Sequence, residues 1–240
     1  MIPQPDIRKL VDCRNEALWQ HVKKHKAVNL QFHPHAYQVN IKGHDAIFLI
    51  KHNDYCMDSF THELLHADIS IKEVYIYGHL HRMFKGDVIL STIFCDDLLV
   101  HIGNVLEHVK MLPNYLNLGF DRAKFIDDYN NVKCTIKEAN LIAVYFKSSG
   151  DLRRIGVDRY VGKYFAMRAC PNNTIDYTDC LVKFNEIDPA LFQILDKCWY
   201  TWLAHDIEHY DVIDNNYNDV LDDLYYGLIN WVQLNLHSLT

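Results

Sequence analysis

Hydrophobic residues change their period several times along the chain, and each change predicts an element. Ile7, Leu10, Val11, Ala17, Leu18 and Val22 recur at helical spacing, so a first helix is expected over residues 6–26. Val28 to Phe32 reads as a strand, followed by a turn at His33-Pro34-His35. Tyr37, Val39 and Ile41 alternate with polar residues, Gly43-His44-Asp45 has turn composition, and Ala46 to Ile50 is a short buried strand. These segments together predict a hairpin. Phe60, Leu64, Ala67 and Ile71 then fall at i, i+4, i+7 and i+11, one apolar stripe on a helix that Asn53 or Asp54 can cap.

Further on, Val74–Tyr77 and Val88–Phe94 are expected as strands, although the second run suits a buried helix equally well. Residues 96–112 predict a helix ended by Pro113, with a turn at Asn117-Leu118-Gly119-Phe120. Shorter helices are expected at 121–129, 135–147 and 188–205, and a long one at about 217–237. Strands among helices are expected in the first half, and mainly helices in the second. The chain divides into a part over 1–148 and a helical part over 149–240 packed on it, or forms one domain.

Composition narrows the function classes. With 240 residues, 49% hydrophobic and 23% charged, the chain has enough apolar material for a sizeable core. Its net charge of −7 argues against a nucleic-acid partner, since a general phosphate-backbone binder is usually basic. Seven cysteines with no CxxC pair do not suggest a disulfide framework. Met1 to Asp6 lacks a secretory pattern and no apolar run approaches a membrane span, so a cytoplasmic location without a membrane partner is expected. The oligomeric state is left open.

The chemistry concentrates at His62-Glu63-Leu64-Leu65-His66. Residues four apart lie about 40° from each other around a helix, so both imidazoles can reach one metal ion. Both lie off the apolar stripe, where they can face a cleft, and Glu63 can meet a metal-bound water.

A strand, a helix with this HExxH motif, and a later helix offering another ligand together resemble the zincin superfamily of zinc metallopeptidases. The resemblance is specific at His62, Glu63 and His66, looser over 37–112, and absent from the C-terminal half. It implies an α+β fold, with a zincin-like N-terminal part in which His62 and His66 hold zinc. Glu63 would then be the general base for a zinc-bound water, and a peptide or protein the substrate. The metzincin continuation is missing, because Ile69 and Lys72 stand where that group has glycine and histidine. In the gluzincin group the third ligand is a Glu on a following helix. Glu73 is too near His66 to fold back, which makes Glu107 the analogue.

Periodicity favours a different residue. Ile102, Val105, Val109 and Leu112 form the buried stripe of the later helix, with Glu107 nearly opposite and His101 and His108 flanking it. Glu107 and His108 are both retained as candidates, and the other of the two can orient a ligand. His79 with His81, and His205 with His209, are weaker alternatives. The pairs His21/His25 and His33/His35 read as ordinary surface residues. The competing reading is a non-catalytic binding or regulatory protein with a zincin-like fold. Its aromatic C-terminal helices (Trp199, Tyr200, Trp202, Tyr225, Tyr226, Trp231) would then supply a partner surface or, as such residues usually do, core packing.

Overall fold

The computed structural model describes residues 4–208 and 216–239. Among them the chain is α+β, with ten α-helices and one three-stranded sheet. It divides into two units, one of Met1–Tyr75 with Val109–Asn130 and one of Ile76–His108 with Asn131–Thr240. The sequence-based division at 148/149 falls inside the second of these.

In the first unit, α1 (Glu16–His25) precedes β1 (Ala27–His33), β2 (Gln38–Lys42), β3 (Asp45–Lys51) and α2 (Met57–Ile71). The expected hairpin is β2–β3, turned at Gly43, whose φ of +59° is open to glycine without strain. β3 is central, with β1 parallel on one side and β2 antiparallel on the other, which leaves β2 at an edge. Alternation along β3 buries Ala46, Phe48 and Ile50. The α2 stripe meets them, since Phe60, Leu64 and Ala67 join the same core with Trp19 and Val22 of α1. Trp19 lies 5.7 Å from Phe60, and Phe60 lies 5.5 Å from Phe48, ring to ring.

Several expectations for this unit need correction. The first helix is shorter than 6–26 because side chains near its start compete for backbone bonds. Asp6 caps a short 3-10 turn at Ile7–Lys9, Asp12 accepts from the Arg14 N–H, and Asn15 accepts from the Asp12 N–H. Neither Asn53 nor Asp54 caps α2. The N-cap is Cys56, without a side-chain bond, and Asn53 instead takes a left-handed turn at φ +61°. The helix expected at 121–129 contracts to a 3-10 turn at Arg122–Lys124, capped by Asp121 through the Ala123 N–H.

In the second unit, Val74–Tyr77 and Val88–Phe94 are not strands. Val74 and Tyr75 precede α3 (Ile76–Gly86), and the second run is α4 (Val88–Ile93). Asp87 decides the latter by accepting from the N–H groups of Ile89 and Leu90, and α4 buries Leu90 and Ile93 at i, i+3. α5 (Asp96–Asn117) runs through both units and continues four residues beyond the Pro113 that was expected to end it. α6 (Ile136–Phe146) starts in a complete Thr135/Glu138 capping box. α7 (Gly150–Arg168), α8 (Thr178–Ile187), α9 (Pro189–Ala204) and α10 (Asn218–Leu239) complete this unit. Asp188 accepts from the Leu191 N–H at the start of α9 and from the Trp231 indole of α10. Trp199, Trp202 and Trp231 are core residues, while Tyr200 and Tyr226 are exposed. No described helix is long and apolar enough to cross a membrane.

Candidate metal centre

Helix α2 carries His62, Glu63 and His66 on adjoining faces because its apolar stripe is spent on the sheet. The two imidazoles converge, with their Nε2 atoms 3.2 Å apart. Two nitrogens each about 2.05 Å from one tetrahedral zinc stand about 3.3 Å apart, so this separation fits a shared ion. His108 supplies a third ring nitrogen, and the donor atoms of His62, His66 and His108 lie within 4.8 Å of one another. His108 stands on α5 immediately before Val109, the first residue of that helix in the first unit. Full coordination needs its ring to close by up to about 1.5 Å.

The end of α5 and the segment after it position His62. Tyr115 is fully buried, its ring stands 5.1 Å from Phe125, and its hydroxyl donates to Asp58 of α2. Phe125 in turn packs 4.8 Å from the His62 ring. Enclosure of that ring, assisted by the neighbouring His66, lowers the His62 pKa to about 3. The imidazole is therefore neutral at pH 7, the form in which it donates to a metal.

Glu63 exposes only 9% of its surface. Its Oε2 accepts the Val39 N–H of edge strand β2 at 2.8 Å. No hydrogen bond engages Oε1 among the described residues, and the side chain lines a cleft of about 300 Å³. Burial raises the Glu63 pKa, while His66 and the Val39 N–H act against the rise and Asp127 adds to it. Tyr37 also borders the cleft. Its hydroxyl donates to the Asp54 carbonyl and accepts the Cys56 N–H, which ties the start of β2 to the start of α2.

The other sequence candidates lie elsewhere. Glu107 is not in the three-histidine group. His101 bonds to the Gly162 carbonyl, His79 pairs with Asp222 at 2.7 Å, and His81 stands 3.7 Å from Asp96. His21 pairs with Asp68, and His205 ends α9, while His209 lies outside the described residues. His35 lines the cleft, although the sequence marked it as ordinary surface. Tyr37 and the stretch Lys124–Asp128 escaped sequence reasoning as well, because no local pattern joins them to a helix tens of residues away. No family model, curated protein or solved structure matches this chain.

Proposed function

We propose that this chain is a zinc-dependent hydrolase of the zincin type, acting on peptide or protein substrates. The observation that carries the reading is the convergence of His62, His66 and His108 beside a buried glutamate with one carboxylate oxygen tethered and the other open to a cleft. An all-imidazole donor set suits zinc, and also copper, iron or nickel. Zinc held there would act as a Lewis acid, lowering the pKa of water and polarising a carbonyl. Glu63 supplies the base, taking a proton on Oε1 while Oε2 stays on the strand and returning it to the leaving group. Its raised pKa suits both transfers, because a base that must later act as an acid works best with a pKa near the working pH.

The test is metal analysis of the purified protein together with a screen of internally quenched peptides. Wild-type protein is expected to hold one zinc per chain and to cleave. Glu63→Gln keeps the zinc and loses turnover by at least about a hundredfold, the scale of general-base catalysis. His62→Ala loses the metal. Full activity in Glu63→Gln, or unchanged zinc in His62→Ala, overturns the assignment. Zinc without turnover on any peptide would return the chain to the binding-protein reading.

A further inference from the structure

The cleft beside Glu63 is lined by four carboxylates, Asp54, Glu63, Asp127 and Asp128, against two lysines. Both lysines are engaged. Lys51 stands 3.2 Å from Asp54, and Lys124 stands 3.7 Å from Asp58. Asp127 is exposed, lines the same cleft as Glu63, and makes no ion pair among the described residues.

Ala36, the Tyr37 ring, Phe125 and Ile126 add apolar surface to the lining, beside His35, Ser59 and His62. A volume near 300 Å³ is at the small end for a ligand pocket and admits one or two residues of a chain. Apolar surface beside the unpaired carboxylate of Asp127 matches a group that has a hydrocarbon stem and a cationic head.

We propose that this cleft selects substrates carrying a positive charge beside the scissile bond, and that Asp127 is the residue that meets it. The inference rests on the metallohydrolase reading and names its substrate class. The cation has two possible sources, a lysine or arginine side chain or a free amino terminus, and both present the same alkylammonium or guanidinium chemistry.

Three metal-binding probes separate these sources by calorimetry on the zinc-loaded protein at low ionic strength. Nα-acetyl-lysine hydroxamate carries only a side-chain cation, norleucine hydroxamate only a terminal one, and Nα-acetyl-norleucine hydroxamate neither. At least one cationic probe is expected to bind about three- to fivefold tighter than the neutral probe, the range of a partly exposed ion pair. The preference should vanish in Asp127→Asn, persist in Asp127→Glu, and fade as salt rises. Which probe gains identifies the source. Equal affinities for all three, or a preference that survives in Asp127→Asn, overturn the proposal while leaving the metal site standing. If the neutral probe does not bind at all, the metallohydrolase reading fails and takes this inference with it.

Discussion

A carboxylate with 9% exposure needs a donor to offset its lost hydration, and Glu63 takes one from the backbone of β2. Because β2 is an edge strand, the Val39 N–H is available to a side chain instead of to the ladder. Val39→Pro deletes that donor at a place where proline removes no inter-strand bond. A reduction in kcat of about 10- to 100-fold is expected, with zinc stoichiometry unchanged, as for the loss of a group that orients a reacting side chain. An unaltered kcat would show that the tether does not position the base. The motif itself was legible as letters, yet the tether was not, since nothing in Gln38-Val39-Asn40 marks one amide as the partner of a glutamate 24 residues on.

Elements were legible where one stripe meets one core. The α2 stripe Phe60, Leu64, Ala67 packs as its spacing predicts, and α9 starts at Pro189 behind a capping aspartate. Short apolar runs were not legible, because four to seven hydrophobic residues satisfy a buried strand and a short helix alike. The Asp87 side chain decides for helix at α4. Pro113 misled for another reason. An interior proline costs a helix about 3 kcal/mol, but the turn that follows it carries Tyr115, whose burial against Phe120 and Phe125 offsets that cost. Close packing between α6 and α7 gives a test at this scale. A Cβ on Gly156 would stand 2.8 Å from the Tyr145 Cβ and 3.2 Å from the Phe146 nitrogen. Gly156→Ala is therefore expected to destabilise the protein by about 1–3 kcal/mol despite the gain in helix propensity. Denaturant melts that show equal or greater stability would refute that tight approach.

For the molecule as a whole, the proposed metal site would be linked to stability, because an ion that binds only the folded state raises the free energy of unfolding. At a free zinc concentration a hundred times Kd the gain is about 2.7 kcal/mol. Thermal melts should therefore shift upward on adding zinc and return on adding chelator. Comparing His108→Ala with Glu107→Ala separates the two residues that sequence reasoning retained as third-ligand candidates. The zinc-dependent shift is expected to shrink in the first and persist in the second, and the opposite result would move the ligand to Glu107. All seven cysteines are free thiols in the structure, and Cys198 is pushed up to about 12 by burial, so no disulfide contributes to these melts.

Periodicity alone determined the hairpin, the apolar face of α2 and the pairing of His62 with His66, and the resemblance carried by HExxH implied the α+β class, because each depends on residues within a few turns of one another. Tertiary structure decided that His108 joins them, that Val39 holds Glu63, and that Lys124–Asp128 wall the cleft. Those relations link segments 24 to 66 residues apart in the chain. Their closeness is set by how helices and strands pack into a shared core, a property that no local period encodes.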